Sequence, residues 1–337
     1  MQELMTIILA AGAGTRMKSS IAKVAHTVCG KPLLSYVVDA ASAAGSSQIV
    51  LVLGHQAQQV REIAPKDAVC VMQEKQLGTG HAVMSAREQL ESRTGTVLIL
   101  CGDTPLITGQ TLKKAYEHHV QERNDITVLT AVMDDPTGYG RIIRGSDGRV
   151  RAIVEHKDAT DDERLVREIN SGMYFFEIPA LLSALNGLSN QNSQNEYYLT
   201  DTLSGILNAG GRAGTYVISD SKEIMGVNDR CQLAEAEKYI NNRNITLHMK
   251  NGVTFYLPET TLIHSDITIG RDTVIYPGCV LEKGTSIGEA CVIGPDTRIS
   301  NSIIGNHTHI MNSVVTNAAV GDDEKLGPFA VIIAPGL

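Results

Sequence analysis

The chain has 337 residues, ordinary charged content and a formal charge of −8. That length allows two domains with a sizeable core, and the acidic balance excludes a nucleic-acid-binding role. Six cysteines lie scattered with no Cys-x-x-Cys pair, and no apolar run is long enough to span a bilayer. These features exclude a zinc site, a disulfide framework and a membrane partner, and the expected compartment is a reducing cytoplasm.

The first element is an apolar run, Met5–Leu9, read as a buried strand. It ends in Leu9-Ala10-Ala11-Gly12-Ala13-Gly14-Thr15-Arg16-Met17, with Lys23 shortly after. Small residues and glycines after a strand let the backbone approach a ligand, and loop N–H groups can cradle phosphates. Arg16 and Lys23 place two cations where phosphate charge would sit. A dinucleotide fingerprint needs glycine where Met17 stands, and a P-loop needs Ser or Thr where Pro32 follows Gly30-Lys31. The alternative is a glycine loop that merely turns a strand into a helix. The segment resembles the signature loop of sugar nucleotidyltransferases, with Ala22 standing where that family has proline.

Further apolar runs at Ile49–Leu53, Ala68–Met72 and Val97–Leu100 read as strands buried on both faces. Helical stretches are expected at Leu33–Ala44, His81–Leu90 and Gln110–Glu122. This alternation predicts a Rossmann-like, doubly wound α/β domain with ligands outside the carboxyl ends of its strands. Residues 229–250 read as a linker helix with Leu233, Ala236, Tyr239 and Ile240 on one face. From about Leu262, blocks such as Ile269-Gly270, Ile287-Gly288 and Ile293-Gly294 recur at separations near six. That period predicts a parallel β-helix with three short faces per coil, and the pattern resembles the left-handed β-helix of acyltransferases. The expected division is 1–228, 229–250 and 251–337.

Several strand-end segments carry polar chemistry. Gln73 and Gln76 offer amides that can read a pyrimidine edge, with Gly78 and Thr79 allowing close backbone approach. Together with Leu9, Ala10, Ala11 and Gly12 they form the expected nucleotide site. Asp103, after the next strand, suits Mg²⁺, with a helix cap or turn as the alternative reading. Gly140, Glu155 and Asn170 offer hydrogen bonding without a cation, as sugar hydroxyls and an N-acetyl group require. Glu196–Asp201 is expected to open a helix nearby, its tyrosines either packing or facing the site. Asn228 offers a second oxygen to the metal and a further sugar contact.

Segments Leu9–Met17, Gln76–Ala82, Gly102–Leu106, Asp134–Ile142, Val154–Thr160, Asn170–Tyr174, Glu196–Asp201 and Gly226–Arg230 follow one another. In this order they resemble the family of bacterial bifunctional N-acetylglucosamine-1-phosphate uridylyltransferases/glucosamine-1-phosphate acetyltransferases. The resemblance implies Mg²⁺-dependent uridylyl transfer from UTP to N-acetylglucosamine 1-phosphate, for cell-wall and lipopolysaccharide precursors. It implies Arg16 and Lys23 as the catalytic cations, and a homotrimer through the β-helix. The family's β-helix runs on beyond the point where this sequence ends, at Leu337, so acetyl transfer is not expected of this chain. The family often has an aromatic where Cys101 stands, so stacking there is not implied. Two alternatives remain open: a nucleotidyltransferase for another sugar 1-phosphate such as glucose 1-phosphate, and a non-catalytic nucleotide-sugar-binding subunit.

Overall fold

The computed structural model describes residues 3–334. Residues up to His26 together with Pro32–Arg230 form one compact unit, and Thr27–Lys31 with residues from Cys231 on form a second. The last three residues of the expected 251–337 segment, and the first two of 1–228, lie outside the described residues.

The first unit is built on a nine-stranded sheet. Its strands are β1 (Leu4–Ala10), β2 (Gln48–Leu53), β3 (Val69–Met72), β4 (Thr96–Cys101) and β5 (Ile126–Val132). They continue with β6 (Arg141–Arg144), β7 (Val150–Val154), β8 (Glu168–Glu177) and β9 (Ala213–Val217). The order along the main path is β9-β5-β8-β4-β1-β2-β3, with β6 on β8 and β7 on β6. β1 pairs in parallel with β2 and β4, and β2 with β3, whereas β8 runs antiparallel to both β4 and β5. Side chains alternate between two apolar layers: Leu4 and Ile8 of β1 enter one, Met5 and Ile7 the other. Burial on both faces explains why these strands read as unbroken apolar runs. The exception is β3, expected to be buried on both faces. It is an edge strand with one neighbour, as β9 is at the opposite end, and its residues are half-buried or exposed.

Helices α1 (Leu33–Ala43), α2 (Ala57–Ile63), α3 (Thr79–Ser85) and α4 (Gly109–Glu122) follow the early strands. α1 buries Leu33, Leu34, Val37, Val38 and Ala41, the spacing of one helical face. The helix expected over His81–Leu90 stops sooner: α3 ends at Ser85 and a 3-10 turn covers Arg87–Gln89. There the Ser85 hydroxyl donates to the His81 carbonyl, a local bond that competes with the helix. Short α5 (Asp161–Arg164) starts from a capping box of Thr160 and Glu163, and α6 (Ile178–Leu185) follows β8. α7 (Asp201–Asn208) begins only at Asp201, so Glu196–Thr200 is the irregular segment leading into it rather than its first turn.

In the second unit, α8 (Arg230–Lys250) buries Ala236, Ile240, Ile245 and His248. Its expected apolar face is only partly right, because polar side chains do much of the docking. Asn241 accepts from the Ile263 N–H at 2.8 Å and donates to the Thr261 carbonyl at 2.7 Å, while Asn244 donates to the Ile263 carbonyl. The coils that follow form three parallel sheets, each strand pairing with the third one on, as a left-handed β-helix does. Ile263, Ile269, Ile275, Leu281, Ile287, Ile293 and Ile299 stack into its core. Val274 pairs with Val292, a step of eighteen residues, in agreement with the six-residue period. Beyond Ser300 the step tightens: Ile303 pairs with Ala319, sixteen on. Corners at Asp296, Asn301, Asn312 and Asn317 take left-handed backbone, which Asn and Asp tolerate better than most residues.

Candidate active site

Two adjoining clefts open at the strand ends of the first unit. The first, about 320 Å³, is lined by Leu9, Ala10, Ala11, Gly12, Lys23, Gln73, Gln76, Gly78, Thr79, Cys101 and Asp103, among others. Every residue expected at the nucleotide site is in that lining. The convergence follows from the topology: β1, β3 and β4 lie in one parallel run, so the loops leaving their carboxyl ends share one edge. The second cleft, about 200 Å³, contains Gly140, Glu155 and Asn170 together with Tyr139, Gly172, Tyr174 and Thr200. Leu9, Thr79 and Cys101 line both, so the clefts are continuous.

The loops are stitched to one another. Tyr197 donates its N–H to the Leu77 carbonyl, Gly80 donates to the Tyr197 carbonyl, and Leu199 donates to the Thr79 hydroxyl. Gly78 sits at φ 104°, and a Cβ there would stand 2.7 Å from the Tyr197 carbonyl oxygen. Only glycine permits that approach. The amides of Gln73 and Gln76 also serve the loops: Gln73 Nε2 donates to the Gly78 carbonyl at 3.1 Å, and Gln76 Nε2 donates to the Ala11 carbonyl. Gly12 differs from the rest. It is exposed and absent from the positive-φ residues, and a Cβ on it would meet no protein atom within 4 Å.

Lys23, from the 3-10 turn Lys23–Ala25, forms an ion pair with Asp103 and donates to Asn228 Oδ1 at 2.7 Å. Asn228 lines neither cleft, yet one ammonium reaches both it and Asp103. Two oxygen donors therefore converge on a cation-sized point. No cluster of three or more His, Cys, Asp or Glu able to hold a metal exists among the described residues. This donor set fits Mg²⁺, which takes oxygen ligands, keeps several waters and is completed by substrate phosphates rather than by an all-protein cage. Arg16 is exposed on the 3-10 turn Thr15–Met17 and lines neither cleft. Ala22, in the proline position of the resembling loop, has φ −55° and donates its N–H to Gln59 Oε1 at 2.6 Å. A hydrogen bond to α2 holds the segment where a ring would.

Burial shapes the second cleft. It pushes the Glu155 carboxyl above its ordinary pKa, against a hydrogen bond from Thr200, with Asp158, Asp201 and Glu196 adding to the rise. Burial and the nearby Asp103 also raise the Tyr139 phenol. Cys101, between the clefts, is pushed up to about 12 by burial, with Asp103 adding and Lys23 opposing. A thiol held there is inert at neutral pH. Of the tyrosines at 197 and 198, Tyr198 is buried, with its hydroxyl 2.8 Å from Gln194 Nε2 and 3.3 Å from Asp158, so it packs rather than faces the site. Sequence reasoning missed Tyr174, whose phenol accepts from Asn170 Nδ2 at 2.7 Å. Its neighbours in the Asn170–Tyr174 segment carried the only signal.

Comparison with known proteins identifies the family. The nucleotidyl transferase family matches residues 5–226, and the bacterial transferase hexapeptide (six repeats) family matches residues 266–301. The chain is 52% identical to the bifunctional protein GlmU of Caldanaerobacter subterraneus subsp. tengcongensis, over 98% of this chain and 72% of that protein. It is 49% identical to the bifunctional protein GlmU of Acetivibrio thermocellus, over the same shares of 98% and 72%. Against that of Geobacillus thermodenitrificans it is 50% identical over 97% of this chain and 71% of that protein. No helix among the described residues is long and apolar enough to cross a membrane. Identity near one half, running through the sheet that builds the clefts and on into the coils, means that the chain belongs to the GlmU family and is a nucleotidyltransferase.

Proposed function

We propose that the chain transfers a uridylyl group from UTP to N-acetylglucosamine 1-phosphate, releasing pyrophosphate and UDP-N-acetylglucosamine. The observation that carries this reading is the pair of continuous clefts: one with glycine loops and the Lys23 cation, the other with a carboxylate and an amide but no cation in its lining. The first suits a nucleoside triphosphate, its phosphates near Lys23 and Asp103. The second suits a neutral sugar ring.

The sugar 1-phosphate is itself the nucleophile and is already an anion near pH 7. The protein therefore needs no general base, and catalysis reduces to positioning and charge neutralisation. Leu9–Gly12, Gln73, Gln76, Gly78 and Thr79 hold the nucleotide. Gly140, Glu155 and Asn170 hold the sugar, with Asn228 at its edge. Lys23 steadies the triphosphate, and Arg16 meets the charge that develops on the departing pyrophosphate. Asp103 and Asn228 are the residues that would hold Mg²⁺, whose chemistry when bound is to neutralise phosphate charge. Attack is in line at the α-phosphorus. Residues 1–228 carry this chemistry, 229–250 form a linker, and 251–337 form the β-helix, through which a homotrimer assembles in the cytoplasm.

The test is pyrophosphate release over a panel of nucleoside triphosphates and sugar 1-phosphates, with Asp103→Ala as control. The expected result is fastest release with UTP and N-acetylglucosamine 1-phosphate, dependent on a divalent cation and lost in the variant. Preference for glucose 1-phosphate would overturn the substrate assignment. Binding of both substrates without turnover would make the protein a sensor instead.

A further inference from the structure

Asn170 and Tyr174 belong to the same strand, β8. In an extended strand, residues four apart stand about 13 Å from one another. Here Asn170 Nδ2 reaches the Tyr174 hydroxyl at 2.7 Å. The contact exists because the register of β8 against β5 shifts between these two residues, around Gly172 at φ 77°. This bulge closes on the cleft: the Cys101 thiol lies 3.6 Å from the Gly172 carbonyl, and a Cβ on Gly172 would stand 3.3 Å from that sulfur. Bulges of this kind re-aim side chains next to active sites.

The bulge also fixes the Asn170 amide at both ends. The Gly172 N–H donates to Asn170 Oδ1 at 3.1 Å, which decides which end is oxygen, and the Tyr174 phenol takes one N–H from the other end. One lone pair and one N–H remain, each with a set direction. Asn170 is the phenol's one hydrogen-bond partner among the described residues, and Tyr174 is 2% exposed at the floor of the second cleft.

We propose that Tyr174 is the positioning residue for Asn170 and, through it, sets the preference for an acetamido sugar 1-phosphate over one bearing a hydroxyl at the same carbon. An acetamido group presents an N–H and a C=O in a fixed plane. It is met in full only by a partner whose own donor and acceptor are fixed. A hydroxyl rotates to suit whatever it finds, so a loosened Asn170 costs it little. The inference rests on the proposed function, because it assumes that the sugar lies in the second cleft.

The experiment is a double-substitution cycle with Tyr174→Phe, Asn170→Ala and both together, read as KM for N-acetylglucosamine 1-phosphate, glucose 1-phosphate and UTP. Tyr174→Phe should raise the KM for the acetamido sugar about tenfold, the loss expected from one buried hydrogen bond. It should leave the KM for UTP within twofold and narrow the preference over glucose 1-phosphate. The double variant should be no worse than Asn170→Ala alone, because Tyr174 acts through Asn170. Additive losses, or equal losses for both sugars, would overturn the positioning role while leaving the proposed function standing. A parent protein with no preference for the acetamido sugar would overturn the proposed function, and this inference with it.

Discussion

Gly12 offers the sharpest test of the nucleotide cleft, because the fold has no need of a glycine there. Its φ is not positive, and an added Cβ meets no protein atom within 4 Å. Gly12→Ala should therefore fold as well as the parent. Fewer unfolded conformations should even add about 0.4–1 kcal/mol of stability. Yet Gly12 lines the first cleft, so the methyl stands in the space assigned to UTP. A misplaced methyl in a fitted pocket costs roughly 1–3 kcal/mol, or about 10–200-fold in kcat/KM. Gly14→Ala is the contrasting control: φ is 60° and the Cβ would stand 2.7 Å from Lys23 Cβ, so stability itself should fall. Thermal unfolding and pyrophosphate-release kinetics are measured on both variants. If Gly12→Ala is as stable as the parent and its KM for UTP is unchanged, the nucleotide does not approach this backbone and the reasoning fails.

The proline position and the buried carboxylate give two more expectations. Ala22→Pro fits the observed φ of −55° but deletes the N–H bond to Gln59, so urea midpoints should barely move in the parent. In a Gln59→Ala background the same change should stabilise by about 0.4–1 kcal/mol; destabilisation in both backgrounds would show that the segment cannot take the ring. Glu155→Gln should stabilise the protein at pH 7 while lowering activity. The folded pKa of Glu155 is raised, so its carboxyl's contribution is whole below the unfolded value, about 4.3, and is lost as pH rises through the folded value. The melting temperature of the variant minus that of the parent should grow across that interval. Asp201 is raised too and adds to the Glu155 rise, so losing their mutual repulsion in the variant makes the difference grow in the same direction, and a difference that shrinks with rising pH would refute the burial argument.

Much of the site was legible because a doubly wound sheet gathers its strand ends. Once Met5–Leu9, Ala68–Met72 and Val97–Leu100 were read as parallel strands, Gly12, Gln73 and Asp103 had to converge, and they line one cleft. Geometry that depends on a single dihedral or on a ligand-free contact was not legible. Nothing in the letters shows that β8 carries a bulge at Gly172, so nothing marks Tyr174 as a partner of Asn170. Nor does spacing show that Lys23 bridges Asp103 and Asn228, or that the amides of Gln73 and Gln76 bond to their own loops. The β-helix period is plain over its first coils, at eighteen residues per turn, and then drifts to sixteen between Ile303 and Ala319 while the apolar ladder continues.

Glycine shows why such limits are physical. The same residue answers different demands at four places around these clefts. Gly78 is small because the Tyr197 backbone crowds it, and Gly172 because its φ is left-handed beside Cys101. At Gly140 a Cβ would stand 3.2 Å from Ile153 and 3.5 Å from the Glu155 carboxylate, so a side chain would fill the second cleft from below. Gly12 alone meets no protein constraint. Three of these glycines can be explained by the folded chain itself. For the fourth the folded chain supplies no reason, and the nucleotide proposed for this cleft would supply one, because a molecule pressed against that backbone leaves no room for a side chain.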